Sequence, residues 1–192
     1  MKTRLAAVVA TSLALACAQD NNAVQLYAIC SPPDSCTFGA TCDKYAMDVP
    51  TLDVTTSATG VLLLAIEVHN QAANNADPTA GRVNTHDAFV QEYDVAWKDS
   101  ALPPVKGRIT QTVPAAGSTV VAVPIQPPLA PGRFVAKLSL RGVFGDQSGF
   151  TTAPLEIAVA VCTGCLAAQT TACLKPCPPN IGQLPIACGT GP

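Results

Sequence analysis

Apolar and polar residues alternate with a period of two along most of the chain, in short segments bounded by proline, glycine and asparagine. This alternation is typical of β-strands that bury one face. It predicts seven or eight strands, with no helix longer than about two turns. The segments are 24–30, 51–55, 60–70, 88–97, 107–113, 118–125, 133–144 and 155–161.

The alternation and the turn residues also predict which side chains face inward and where the chain turns. In segment 88–97 the alternation puts Phe89, Gln91, Tyr93, Val95 and Trp97 on one face. In segment 133–144 it directs Phe134, Ala136, Leu138 and Leu140 inward. Turn residues at 114–117 predict a hairpin between segments 107–113 and 118–125, and those at 145–149 predict a tight turn between Phe144 and Phe150.

The fold class predicted from these segments is all-β: an antiparallel β-sandwich of immunoglobulin or fibronectin type III style, with disulfide-rich terminal segments. A β-barrel is the alternative. The immunoglobulin pattern of two cysteines around a tryptophan is missing, because no cysteine lies between Cys42 and Cys162. We expect the sandwich domain, with an N-terminal cysteine loop, over 24–162, and a cysteine-rich tail packed on it over 163–192.

The N-terminus has the pattern of a secretory signal. Lys2 and Arg4 precede an apolar stretch over 5–16, which is too short for the about 20 residues of a membrane span. Residues 1–16 are therefore interpreted as a signal peptide, Cys17 as the lipid attachment site of a lipoprotein, and 17–23 as anchor and linker. Ala14 stands where such sites usually have leucine. Cleavage after Ala16 or Ala18 by ordinary signal peptidase, giving a periplasmic or secreted protein, is the alternative.

The other eight cysteines form two odd-numbered groups. They are Cys30, Cys36 and Cys42 near the N-terminus and Cys162, Cys165, Cys173, Cys177 and Cys188 near the C-terminus. An exported chain favours disulfides, whose pairing the sequence leaves unknown. If all eight are oxidised, at least one bond must join the two groups. Two less favoured alternatives are zinc bound by the C-terminal group and a redox-active Cys162-x-x-Cys165, which follows a strand instead of starting a helix.

Charge and composition point to no catalytic chemistry. The formal net charge is −2 and no basic cluster exists, so nucleic acid is not expected as a partner. The two histidines, His69 and His86, accompany no G-x-S-x-G motif, and Gln147 interrupts the resemblance of 145–149 to a serine-protease motif. The sequence assigns no catalytic residue, metal or cofactor.

The segment 70–87 is rich in asparagine and aspartate and is the predicted binding loop. Its candidate residues are Asn70, Asn74, Asn75, Asp77, Asn84, His86 and Asp87. Their oxygens are of the kind that binds Ca²⁺, but no EF-hand spacing is present, and such residues more often cap turns. The partner of this loop, a protein or a glycan, is not identified by the sequence.

Several short motifs resemble a group of cysteine-rich predicted lipoproteins from myxobacteria and their relatives. These are Cys30-Ser-Pro-Pro-Asp-Ser-Cys36, the asparagine-rich loop, Leu140-Arg-Gly142 and Val161-Cys-x-x-Cys-Leu166. The resemblance implies a cell-envelope lipoprotein with paired cysteine ends and transfers no catalytic residue. Ala18 after Cys17 is compatible with sorting to the outer membrane.

The expected function is therefore that of a non-enzymatic outer-membrane or cell-surface lipoprotein, held in the membrane through a lipid on Cys17, with a binding or structural role. The alternative, from a different class, is a secreted enzyme or enzyme inhibitor with a divergent site in the loop 70–87.

Overall fold

The computed structural model describes residues 23–31, 39–55, 60–98 and 101–165. Within these ranges the chain forms nine strands and a one-turn 3₁₀ helix at Pro78–Ala80. The strands are β1 (Val24–Ile29), β2 (Thr51–Asp53), β3 (Leu62–Asn70), β4 (Ala88–Trp97), β5 (Val105–Val113), β6 (Gly117–Ile125), β7 (Gly132–Phe144), β8 (Gly149–Thr151) and β9 (Leu155–Cys162). The all-β prediction is confirmed, and each predicted segment corresponds to one strand.

The strands form two sheets. One has the order β1-β3-β6 and is antiparallel throughout. The other has the order β2-β9-β7-β4-β5, with β8 paired to β7. Its β2 runs parallel to β9, with Thr51 opposite Ala160 and Asp53 opposite Cys162, so the pairing is mixed and not wholly antiparallel as expected.

The main apolar core of the described residues takes side chains from both sheets. The three-stranded sheet contributes Leu62, Leu64, Ile66, Val68, Val121, Val123 and Ile125, and the larger sheet contributes Val90, Val95, Leu138, Leu140, Ile157 and Val159, among others. All of these are at most 2 % exposed. The inward direction predicted for Ala136, Leu138 and Leu140 on β7 is confirmed.

The predicted face of β4 is wrong in its first half. Ala88 and Val90 are buried there, whereas Phe89 is 40 % exposed. The cause is a shift of register between Val90 and Glu92, against both neighbouring strands. A β-bulge adds one residue to a strand and so inverts the alternation beyond it. Tyr93, Val95 and Trp97 therefore point inward as expected.

The predicted hairpin between β5 and β6 is also wrong. A turn does form, in which the Gly117 N–H donates to the Pro114 carbonyl at 3.1 Å. The strands on either side nevertheless belong to different sheets, since β5 pairs with β4 and β6 pairs with β3. Local turn chemistry is the same in a hairpin and in a connection that crosses between sheets, so the sequence could not separate them.

The tight turn between Phe144 and Phe150 is confirmed. It joins β7 to β8, and Gln147 adopts a left-handed backbone with φ of 69°. The Gln147 N–H donates to the Phe144 carbonyl at 2.9 Å, and the Phe144 N–H donates to the Ser148 carbonyl at 2.8 Å.

Two disulfides lie within the described residues, each inside one cysteine group. Cys30 pairs with Cys42 and Cys162 pairs with Cys165, with Cα–Cα distances of 5.4 and 5.8 Å. Cys17, Cys36, Cys173, Cys177 and Cys188 lie outside the described residues, as do the predicted signal peptide and most of the predicted tail. In the described ranges there is no helix with the length and apolarity that crossing a membrane requires.

Gly142 should be intolerant of any side chain. It lies opposite Val90, beside the bulge, and a Cβ there would overlap the Phe89 carbonyl oxygen and approach the Phe150 ring to 2.8 Å. We expect Gly142→Ala to lower the free energy of unfolding by roughly 1–3 kcal/mol, as overpacking does. Gly149→Ala is the control, because its Cβ would meet nothing closer than 3.9 Å. Urea unfolding of both variants measures this; equal stabilities would contradict the described contact.

Candidate functional site

The predicted binding loop 70–87 and the turn 145–149 lie together at one end of the domain. The Gly145 N–H donates to the Asp87 carbonyl at 3.0 Å, and the Asp146 N–H donates to the Thr85 carbonyl at 3.1 Å. The loop begins where β3 ends and finishes where β4 begins, and the turn follows β7. The sheet topology therefore brings together two segments that the sequence analysis treated separately.

Asn70 fixes the base of the loop. Asn70 is 1 % exposed, and its side-chain amide nitrogen donates to the carbonyls of His86 and Val113 at 2.8 and 3.2 Å. Its side-chain oxygen accepts from the Ala72 N–H at 3.1 Å. One buried side chain thus satisfies backbone groups of three segments, and buried polar groups require such partners.

The middle of the loop is held by pairs of polar side chains. The Asn75 amide donates to the Thr85 hydroxyl at 2.7 Å, and its oxygen accepts from the Thr85 N–H at 2.9 Å. The Asn84 amide donates to Asp87 at 2.6 Å, and Asp87 also accepts from the Ala115 N–H at 2.8 Å. These bonds stabilise the loop, which has little regular secondary structure of its own.

Asn74 and Asp77 act within their own turns. The Asn74 oxygen accepts from the Ala76 N–H at 2.8 Å. Asp77 caps the 3₁₀ helix by accepting from the backbone N–H groups of Thr79 and Ala80 and from the Thr79 hydroxyl. These hydrogen bonds lower the pKa of Asp77, and the bond from the Thr79 hydroxyl has the largest effect. The side chains considered as Ca²⁺ ligands therefore accept hydrogen bonds from within the loop and, at Asp87, also from the Ala115 N–H, which is the turn-capping role.

A cavity of about 200 Å³ opens between the loop and the turn. It is lined by Ala23, Ala72, His86, Phe144, Asp146 and Ser148. From the sequence, His86 is predicted in a binding loop, whereas Asp146 and Ser148 are predicted only in a turn. The register of β4 against β7, with Ala88 opposite Phe144, brings them together, and no local signal encodes that pairing.

The polar groups of the cavity are oriented by hydrogen bonds. Nδ1 of His86 lies 2.7 Å from the Ala73 carbonyl, which can only accept, so Nδ1 carries a proton and donates this bond. The Ser148 hydroxyl donates to Asp146 at 2.6 Å. That hydroxyl, the Ser148 N–H and the nearby His86 lower the pKa of Asp146.

This arrangement can accept hydrogen bonds but lacks the geometry of a nucleophile. A catalytic serine donates its proton to histidine, whereas Ser148 donates to Asp146. The cavity is also below the 300–1,000 Å³ typical of ligand pockets, which limits an occupant to a few atoms or one side chain. The end of the domain therefore offers a hydrogen-bonded polar surface with a small recess.

His69 belongs to a different cluster, on the outer face of the three-stranded sheet. Its ring stacks on Tyr27 with centroids 4.6 Å apart, and Tyr27 contacts Tyr45 edge to face at 5.8 Å. Nε2 of His69 lies 3.4 Å from the Glu67 carboxylate, which is almost fully buried. A hydrogen bond to Glu67, more than desolvation, raises the pKa of Tyr45. The two histidines are thus in separate clusters and do not form a joint site.

Comparison with protein families and with characterised proteins finds no match to this chain.

Ser148→Ala should raise the pKa of Asp146 towards its ordinary value of 3.8, because the hydroxyl bond is the first cause of the lowering. In the native protein this carboxylate favours folding above its unfolded pKa, and that contribution is lost as the pH falls through the lowered folded pKa. In the variant, the free energy of unfolding should therefore depend less on pH in this acidic range. Carboxyl ¹³C NMR titration measures the pKa directly.

Thr79→Ala is the matched control, since it removes the equivalent bond to Asp77. It should raise the pKa of Asp77 and leave that of Asp146 unchanged. An unaltered Asp146 titration in Ser148→Ala would contradict the described turn.

Proposed function

We propose that the chain is a non-enzymatic lipoprotein of the cell envelope, exported and held at the outer membrane or cell surface by a lipid on Cys17. Its folded body would be an immunoglobulin- or fibronectin-type sandwich that binds a partner or supports the envelope. The signal pattern over 1–16, the cysteine that follows it and the internally hydrogen-bonded loop end support this proposal.

The order of the strands supports the sandwich. In immunoglobulin domains one sheet contains A, B and E, and the other contains G, F and C, with C′ added in variable types. The order β1-β3-β6 corresponds to A-B-E, and β9-β7-β4-β5 corresponds to G-F-C-C′. The shared core between the two sheets is what such a sandwich requires.

The observation that carries the proposal is Cys17 directly after the apolar stretch 5–16, and the end of the domain that it would anchor follows from the position of Ala23. This residue lines the cavity at the loop end, and it follows Cys17 by only six positions. Six residues reach at most about 20 Å when fully extended. A lipid on Cys17 would therefore hold the loop end beside the membrane. The surface of the loop end consists of asparagine and aspartate side chains that are hydrogen-bonded within the domain, and such a polar surface suits the hydrated headgroup region.

The opposite end of the domain would then face away from the membrane. β7 runs the length of the sheet, from Gly132 beside Val161 to Phe144 at the cavity. Thirteen strand residues span about 40 Å. A protein or glycan partner would meet this distal end or the strand faces more readily than the loop 70–87, where the sequence analysis expected it.

The alternative, a secreted enzyme or enzyme inhibitor with a site in the loop 70–87, draws support from His86 and Ser148 lining one cavity. The direction of the Ser148 hydrogen bond weakens the enzyme version.

The proposal includes a covalent link between the ends of the chain. Cys30–Cys42 and Cys162–Cys165 are internal to their groups. If all eight cysteines are oxidised, Cys36 must then pair with Cys173, Cys177 or Cys188. The pairing of β2 with β9 already joins the N-terminal segment to the last strand and supports such a link.

Metabolic labelling with a fatty-acid analogue tests the anchor. The full-length chain should incorporate the label and fractionate with membranes, and Cys17→Ser should lose both properties. Ala18→Ser should keep them, because it changes the neighbouring residue only. Label that persists in Cys17→Ser, or a native chain without label, would refute the lipoprotein proposal.

A further inference from the structure

The Cys162–Cys165 disulfide lies against a buried carboxyl group. Asp53 is 1 % exposed, and one of its carboxyl oxygens lies with the two sulfur atoms in a group whose members are all within 4.8 Å of one another. Asp53 is opposite Cys162 in the parallel pairing of β2 and β9, so the sheet itself fixes this contact. No sequence pattern connects Asp53 with these cysteines, which are more than a hundred positions away.

The same carboxyl group holds the turn between the cysteines. Its Oδ1 accepts from the Gly164 N–H at 2.8 Å, and from the N–H and hydroxyl of Thr55 at 3.0 and 2.7 Å. The Val54 N–H donates to the Cys162 carbonyl at 3.0 Å. None of these bonds depends on the disulfide. The two sulfur atoms would therefore remain adjacent if the disulfide were reduced.

The two described disulfides differ in access to solvent. Cys165 is exposed and Cys162 is partly exposed. Cys30, in contrast, is 4 % exposed and packs with Ala65 and Val120, so that only its partner Cys42 is partly exposed. Exposed disulfides are the ones open to attack by thiols, whereas enclosed ones resist it.

We propose that Cys162–Cys165 is an exchangeable disulfide that reacts with dithiols, and that Asp53 is the residue that positions it. Cys165 is the sulfur attacked, because it is the exposed one. Thiols can donate S–H bonds to a carboxyl oxygen and a disulfide cannot, so Asp53 favours the reduced form over the disulfide. This differs from a C-x-x-C at a helix N-terminus, where the thiolate is stabilised.

The exchange balances with a dithiol as the only co-reactant. One substrate thiolate attacks Sγ of Cys165, the Cys162–Cys165 bond breaks, and Cys162 leaves as a thiolate that takes up a proton. The second substrate thiolate attacks its partner sulfur in the mixed disulfide. This forms the substrate disulfide and releases Cys165 as a thiolate, which is protonated in turn. The protein disulfide gains two electrons and two protons, which the substrate dithiol supplies.

The test compares the two disulfides in one molecule. The oxidised full chain is equilibrated in dithiothreitol buffers of graded redox ratio, its free thiols are trapped by alkylation, and its chymotryptic peptides are quantified. Residues 156–166 carry Cys162 and Cys165 between two leucine cleavage sites. We expect their half-reduction at a ratio at least tenfold less reducing than that of Cys30–Cys42, a difference of about 30 mV.

Asp53→Asn tests the positioning residue. It should move the Cys162–Cys165 midpoint at least threefold towards more reducing buffers and leave that of Cys30–Cys42 unchanged, which also reports that the fold is intact. Asp48→Asn makes the same charge change at an exposed position and should move neither midpoint. If Asp53→Asn does not fold, the order of the two native midpoints alone decides the proposal.

A peptide with two cysteines serves as the dithiol probe. The oxidised protein should convert it to its disulfide, and Cys162→Ser should trap a mixed disulfide with the oxidised peptide at Cys165. Equal midpoints for the two protein disulfides, or a peptide that remains reduced, would overturn the proposal. A Cys162–Cys165 midpoint unaffected by Asp53→Asn would overturn the role of Asp53.

Discussion

The positions of the N-terminal segment and of the turn after the last strand depend on the short parallel pairing of β2 with β9. This pairing returns the N-terminal segment, after its first cysteine group, to the last strand of the domain. Leu52 on β2 is fully buried in the core, and Asp53 beside it accepts a hydrogen bond from the Gly164 N–H in the turn after β9. Without β2, one flank of β9 would be an open edge, which proteins otherwise have to protect against further pairing.

The two ends of the domain are held by different means. At the loop end, backbone N–H and carbonyl groups form hydrogen bonds with the side chains of Asn70, Asn75 and Asp87. At the other end, a disulfide and a buried carboxyl group fix the turn after β9. Amide and carboxylate bonds of the first kind suit a surface next to lipid headgroups, and an exposed disulfide suits a surface that partners can reach. The proposed anchor at Cys17 would orient the domain in this way.

Much of the secondary structure could be predicted from the sequence, because period-two alternation records which face of a strand is buried. The pattern failed at Phe89, where a bulge inverts the alternation, and at the turn before Gly117, where the chain changes sheet. Both depend on which strands are neighbours, and a local pattern does not contain that information.

The candidate site was predicted only in part for the same reason. The residues of the loop 70–87 were identified because asparagine and aspartate cluster there. Asp146 and Ser148 reach His86 through the register of β7, and Asp53 reaches Cys162 through the register of β2. Cysteine parity predicted that the ends of the chain should meet, and the pairing of β2 with β9 gives that expectation a structural basis.

The most direct measurement of this account is disulfide mapping by mass spectrometry on peptides that have not been reduced. The described structure predicts Cys30 bonded to Cys42 and Cys162 bonded to Cys165. Parity then predicts Cys36 bonded to Cys173, Cys177 or Cys188. A bond between Cys30 or Cys42 and the C-terminal group, or eight free thiols, would contradict the account.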